Sequence, residues 1–244
     1  MNTAFANPVE SPVGQGPRAT VGVAGLVRRA PEAVIMAAVR EAAEAATDFS
    51  WLSRGDAVLV KPVVNSGNAY PATTCPAAVK AMVGLLKEKG AGRVVVADMS
   101  GIEHVKLTAD RMKGSTRELM VSSGIAQAAV SAGAELHFPE ERGWSGFFED
   151  GPASGSSWRS CIMMPDIIRE MDHVVLLPRC SRHALSGATL GLKAAVGYWR
   201  TDTRLAYHHD ADTFHAKTAE GNTVSSLLER QRLALTVADK VLAT

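Results

Sequence analysis

The sequence predicts an α/β fold: a mostly parallel sheet flanked by helices, in a Rossmann-like layered architecture. Three observations predict it. The runs "DAVLVKPVV", "RVVVADMS" and "HVVLLP" are continuously apolar and rich in valine, as strands covered on both faces are. Stretches with helical spacing of apolar residues lie between them. No repeat of 20 to 50 residues and no clear linker interrupts residues 19–244, so they are expected to form a single domain.

Residues 1–18 contain Pro8, Pro12, Gly14, Gly16 and Pro17 and are expected to be a flexible lead-in. "ATVGVAGL" (residues 19–26) is β-branched and apolar and is expected to be a strand. "PEAVIMAAVREAAEAATDF" follows at helical spacing, with Pro31 suited to a first helical turn. The strand "DAVLVKPVV" carries Lys61-Pro62. "CPAAVKAMVGLLKEKGAG" predicts a helix with Pro76 near its start and Gly90 near its C-cap. "RVVVADMS" is the next strand. "STRELMVSSGIAQAAVSAGA" predicts one helix or two, broken near Gly124, and "AELHF" a short strand. Residues 139–160 are rich in Gly, Ser and Trp and predict an irregular insertion. "SCIMMPDIIREMDHVVLLP" predicts a short strand, a helical turn and a buried strand. A helix is expected from near Ser186 through "GATLGLKAAVG". "NTVSSLLERQ" is expected to be helical and "RLALTVADKVLA" a final strand.

The totals narrow the function. The chain has 244 residues, 46% apolar and 21% charged, with a formal net charge of +1. That charge gives no field for a polyanion, so no nucleic acid partner is expected. No apolar run reaches about 18 residues, and none follows a basic N-terminus, so neither a membrane span nor a secretory signal is expected. Cys75, Cys161 and Cys180 are an odd count without CxxC spacing, which argues against disulfides and cysteine metal sites. A cytoplasmic, reducing setting is expected. "GVAGLVRRA" lacks the GxGxxG pattern, so NAD is not expected.

In doubly wound sheets, sites form beyond the carboxyl ends of the strands. Those positions carry Lys61 and Asn65, Asp98 and His104, and Arg179 to His183. His104, after a glycine turn, would exchange a proton near neutral pH; a surface histidine is the plain alternative. In "PRCSRHALSGATLGLKAAVG", His183 follows a buried strand. Ser186 or Gly187 at a helix start would offer N–H groups to an anion, and Arg179 would add charge-assisted bonds. Lys193 lies among small and apolar residues. If buried, it becomes a nucleophile or cofactor anchor; otherwise it snorkels from a helix edge. "YHHDADTFH" (residues 207–215) places His208, His209 and His215 beside Asp210 and Asp212. Imidazole and carboxylate suit zinc, iron, nickel or manganese, but the spacing fits no metal motif. Alone, the stretch reads as a solvated connection.

"VLVKPVVN", "TTCPAAVKAMVGLLKEKGAGRVVVADMSG", "DHVVLLPRCSRH" and "GATLGLKAAVG" followed by a histidine resemble the domain-of-unknown-function family 362 (DUF362), from about Val21 to the C-terminus. The sequence departs from that family's pattern in having Val63 where asparagine is frequent and Ala194 after the lysine. It lacks the ferredoxin-type cysteines of some members, so no iron–sulfur cluster is expected. It ends at "LTVADKVLAT" where many members continue, leaving open completion by a partner chain as a homo-oligomer. A more distant resemblance is to the nickel-pincer lactate racemase family. There a histidine follows a strand and glycine turn, as His104 does, and a second ends a strand, as His183 does. A lysine lies in a glycine-rich helix start, as Lys193 does, and a metal-ligating histidine follows, as His208 or His209 would. In that family the lysine carries the pincer cofactor, and the histidines bind nickel or move a proton or hydride. The racemases' C-terminal domain has no counterpart in this sequence.

The resemblance turns one histidine of "YHHDADTFH" toward the crevice. The resulting expectation is an enzyme acting on a small carboxylate-bearing molecule and using a divalent metal, with isomerisation, hydrolysis and oxidation all open. His104, His183 and Lys193 are its catalytic candidates. Lys61, Asn65, Arg179 and Ser186 are its substrate-binding candidates. His183, His208, His209 and His215 are its metal-ligand candidates. A metal-independent acid–base enzyme and a non-catalytic metal- or anion-binding module are the alternatives.

Overall fold

Valine-rich strands place alternate side chains on opposite faces of the central sheet, and both faces are covered. A computed structural model describes residues 19–155, 157–183 and 186–242; the lead-in expected over residues 1–18 lies outside them. The elements are Glu32–Ala46 (α1), Ala57–Pro62 (β1), Pro76–Glu88 (α2), Arg93–Ala97 (β2), Lys106–Leu107 (β3), Met112–Lys113 (β4), Thr116–Ser122 (α3), Ile125–Ser131 (α4) and Glu135–His137 (β5). There follow Phe147–Asp150 (β6), Ile162–Pro165 (β7), His173–Leu177 (β8), Arg179–His183 (β9), Gly187–Thr189 (β10), Thr201–His208 (α5), Phe214–Gly221 (α6), Ser225–Leu228 (α7), Gln231–Ala234 (β11) and Val237–Leu242 (β12).

The main sheet has the order β11-β8-β1-β2-β5, and every adjacent pair is parallel. Val58, Val60, Val94, Val96, Val175 and Leu177 face one core with α1, α2 and α4. Leu59, Val95, Ala97, Val174 and Leu176 face a second core with Tyr198, Trp199, Tyr207 and Phe214. This explains the unbroken apolar runs and bears out the layered α/β prediction. Chain order reverses between β1 and β8, where a doubly wound sheet opens a crevice at its carboxyl edge. There Thr74 replaces the missing ladder bonds. Its hydroxyl accepts from Val63 N at 2.8 Å and donates to Leu177 O at 2.6 Å.

Several elements differ from the sequence expectation. Residues 19–26 are extended but join no ladder among the described residues. β11 holds the sheet edge, and the segment lies along α1, so close that a Cβ on Gly22 would meet Ala42 O at 2.2 Å. The helix expected from Ser186 is instead the hairpin strand β10, paired with β9, then a 3-10 turn over Leu192–Tyr198. Gly187, at φ 71°, makes the tight reversal that a helix start would not tolerate. The expected last strand splits. β11 joins the main sheet, and β12 joins a small sheet of order β10-β9-β12. The insertion holds a 3-10 turn (Pro139–Arg142) and β6, antiparallel to β7. The helix expected over "NTVSSLLERQ" shortens to α7, and residues 207–215 form a helical corner between α5 and α6. Among the described residues no helix is long and apolar enough to cross a membrane.

Thr74→Val keeps the volume but leaves the buried Val63 N–H and Leu177 carbonyl without their partner. A loss of about 2 kcal/mol is expected by urea denaturation.

Candidate active site

Lys61 leaves β1 and Asp98 leaves β2 at the carboxyl edge. Their side chains are 2% and 3% exposed, with Nζ 3.0 Å from Oδ1. The other carboxylate oxygen accepts from Val64 N at 2.7 Å. Burial pushes the Lys61 ammonium down and the Asp98 carboxyl up, and each partner's charge opposes that. Arg204 of α5 is also buried. Its guanidinium donates to the carbonyls of Met99, Ser100, Gly197 and Trp199. One side chain thus ties the loop after β2 to the 3-10 turn that carries Lys193. Burial lowers its pKa to about 10 against the pull of Asp98. The turn comes so close that a Cβ on Gly197 would meet Asp98 Oδ1 and Lys61 Nζ at 2.2 Å. Glycine is therefore required there.

A cavity of about 460 Å³ opens above this pair, and Lys61, Asn65, His104, His183, Lys193 and His208 are among its walls. Lys61, Lys193 and Arg204 stand against Asp98 and the exposed Glu103, so positive charge is in excess. Lys193 has no carboxylate partner among the described residues. Burial lowers its pKa to about 8, and the charges of Arg179 and Lys61 push the same way. His183 falls to about 4, through burial first and then the charge of Lys193. Burial also lowers His208. Phe214, buried at the start of α6, backs three of these groups. Its ring centroid lies 5.7 Å from Lys193 Nζ, 5.9 Å from the His183 ring and 5.7 Å from the His208 ring.

The two imidazoles are held as opposite tautomers. His208 Nδ1 lies 2.7 Å from the Arg204 carbonyl. A carbonyl only accepts, so Nδ1 carries the proton and Nε2 the lone pair. His183 Nδ1 accepts from Ser186 N at 3.2 Å, so its proton sits on Nε2. The arrangement offers one base and one neutral hydrogen-bond donor in a cavity that attracts anions.

The structure thus brings together Lys61, Asn65, His104, His183, Lys193 and His208, from five separate segments. It does not bring the others there. Arg179 is buried on β9, where it donates to the Ala72 carbonyl, and reaches the cavity only through its charge. Ser186 sits in the β9–β10 turn and donates its hydroxyl to Ala188 O; the expected helix start does not form, so neither does its anion site. His209 and His215 are exposed and lie outside the cavity. His209 caps α5, and His215 points away on α6 beside Phe214. No group of three or more His, Cys, Asp or Glu able to hold a metal ion exists among the described residues. The four histidines expected as ligands therefore do not form a cage. Sequence reasoning missed Arg204 and Phe214. The only signal for Arg204 was its place one helical turn before His208.

A second cleft, of about 580 Å³, lies between residues 19–26, α1 and the β11–β12 link. It is larger but carries little chemistry. Among the described residues its one ionisable side chain, Arg232, donates to His173 Nδ1 at 3.2 Å.

Asp98→Asn leaves two buried cations without their carboxylate. A loss of about 3–5 kcal/mol is expected by thermal or urea unfolding. The double variant Lys61→Met, Asp98→Leu is expected to recover more than half of it.

Among solved structures, the chain is similar to a protein from Thermotoga maritima determined by the Northeast Structural Genomics Consortium. The two are 14% identical with a TM-score of 0.46, over 82% of this chain and 45% of that one. It is also similar to the lactate racemase apoprotein from Thermoanaerobacterium thermosaccharolyticum, at 11% identity and a TM-score of 0.48, over 77% of this chain and 44% of that one. The chain thus spans less than half the length of either. No curated protein sequence matches it. The family model described as "Domain of unknown function (DUF362)" matches residues 58–244, most of the chain and every wall of the cavity described above, and the protein belongs to the DUF362 family.

Proposed function

We propose that the crevice takes a small carboxylate-bearing molecule and moves a proton on it, with His208 as base and His183 as neutral hydrogen-bond donor. The observation that carries this reading is the unpaired Lys193 amine, facing the cavity beside two imidazoles of opposite tautomer. The excess positive charge of Lys61, Lys193 and Arg204 draws the carboxylate in. Apolar walls strengthen each charge–charge contact. His208 Nε2 then takes the proton, and His183 Nε2–H steadies the charge that develops on oxygen. His104, on the exposed turn after β2, stands at the mouth of the cavity.

A second reading keeps a metal or metal-bearing cofactor. What favours it is His208, whose Nδ1–H is held by a carbonyl while Nε2 stays unprotonated, as in a metal-ligating imidazole. Side chains alone do not make a cage among the described residues, so such a group would be anchored by Lys193 and His208. When bound, it would supply Lewis-acid or hydride chemistry. Elemental analysis of untagged wild type and His208→Ala separates the readings. Stoichiometric metal lost in the variant supports the second, and metal-free protein that still turns over supports the first.

The direct test of the first reading is deuterium exchange in D2O, followed by proton NMR on glycolate, lactate and pyruvate. Exchange is expected at the carbon beside the carboxylate of glycolate or lactate, or at the methyl carbon of pyruvate, falling about 100-fold in His208→Gln; no exchange on any of the three overturns the reading. Carboxylate binding supplies a second check. The Lys193 ammonium is present below its pKa of about 8, so affinity is expected to fall as pH rises through that value. Lys193→Met is expected to weaken binding about tenfold at pH 7 and to remove that pH step, measured by calorimetry.

A further inference from the structure

Lys193 has two forms, and the charged one explains only half of its surroundings. An ammonium kept solely to attract anions would gain from a carboxylate neighbour or a wet surface. Lys193 instead sits over the Phe214 ring at 5.7 Å, with apolar Ala194 and Val196 beside it on the cavity wall. The neighbouring charges of Arg179 and Lys61 are positive. Burial and those two positive charges favour a free amine, which is a nucleophile, while the Phe214 face tolerates the ammonium as well. Lys61 and Arg204 are committed to Asp98 and to backbone carbonyls, but their charge at the cavity wall still draws a carboxylate in when Lys193 is the neutral amine. A molecule with a carboxylate at one end and an electrophilic carbon next to it would meet both groups at once.

We infer that Lys193 forms an imine with the carbonyl of a small 2-oxo acid held in this cavity. The inference rests on reading the crevice as a carboxylate site. In the step, the Nζ lone pair forms a bond to C2 and the carbonyl π pair moves onto oxygen. His208 Nε2 takes a proton from the nitrogen and passes it to that oxygen, giving a carbinolamine. The C2–oxygen bond then breaks, the hydroxyl leaves with a second proton as water, and the nitrogen lone pair closes the C=N bond. One amine and one carbonyl give one imine and one water, with no change of oxidation state. His183 keeps its proton and hydrogen-bonds the oxygen throughout. His208 borrows and returns each proton, so it ends as it began. The amine and both imidazoles share one buried neighbour, the Phe214 ring behind them.

The test uses the full chain with pyruvate or glyoxylate and sodium cyanoborohydride, which reduces an imine to a stable secondary amine. Digestion and mass spectrometry then locate the adduct. Lys193 is expected to be modified at least about tenfold faster than exposed Lys113. Its rate is expected to rise with pH through about 8, opposite to carboxylate affinity. In Lys193→Arg the adduct at this position disappears. In His208→Gln, whose fold is checked by circular dichroism, Lys193 labelling slows while labelling of Lys113 does not. Thermal stabilisation of the wild type by pyruvate is measured in parallel. Stabilisation without an adduct on Lys193, or labelling that simply follows exposure, overturns the imine and leaves the carboxylate site standing. Neither stabilisation nor adduct overturns both.

Discussion

Lys61 and Asp98 leave adjacent parallel strands at the same level, and their ion pair is fully buried. Taking two charges out of water costs several kcal/mol for each ion, so everything around the pair must be arranged to repay that cost. The backbone supplies a hydrogen bond from Val64 N to Asp98. Gly197 supplies a chain segment with no side chain, so that the 3-10 turn closes directly over the pair. Arg204 adds a third buried charge and spreads it over four carbonyls. A buried ion pair is weak evidence for stability but good evidence for position. Here it fixes the distance between the ends of β1 and β2 and the turn that bears Lys193.

That arrangement leaves the region one charge out of balance. Two buried cations face one carboxylate at the pair, and Lys193 adds another. Glu140 is buried nearby and accepts from Thr116 N at 2.8 Å, but burial pushes its carboxyl up toward the neutral form. Burial comes first in disfavouring the charged forms of His183, His208 and Lys193, and the surplus pushes all three the same way. An incoming anion would relax all of them together, coupling ligand binding to the basicity of the groups that act on the ligand.

The fold was legible where one physical rule dominated. Strands covered on both faces must be apolar throughout, and "VLVKP", "RVVVA" and "HVVLL" say so directly. Helices α1 and α2 were legible from period and from Pro31, Pro76 and Gly90. The stretch from Ser186 to Gly197 was not. Its glycines serve a hairpin reversal and a close approach to an ion pair, and neither constraint is local in sequence. The segment at residues 19–26 has strand-like residues, but the edge it would join is held by β11 from the far end of the chain. At the site, Lys61, His104, His183 and Lys193 were legible because strand ends in such sheets gather side chains. Arg204 was not, because all its partners are carbonyls of distant loops, which leave no mark in residue identity.

The stretch "YHHDADTFH" divides its side chains between solvent and site. Alone it reads as a solvated connection with one histidine turned inward only by resemblance, and a helix ending at His208 and another starting at Phe214 send successive side chains in different directions. Only His208 keeps the cavity. His209 and His215 turn to solvent, and Asp210 spends its carboxylate on Thr213 and on the Asp212 amide. The residue that matters most beside His208 is the apolar one. Phe214 packs on Tyr207 with ring centroids 4.2 Å apart and presents its other contacts to Lys193, His183 and His208. An aromatic face accepts a cation and also accepts neutral rings at a small cost in either state. A face of that kind lets Lys193 pass between ammonium and amine without repacking, whereas a carboxylate in its place would lock the ammonium form. The chemistry open to this cavity is decided as much by that ring as by the groups that titrate above it.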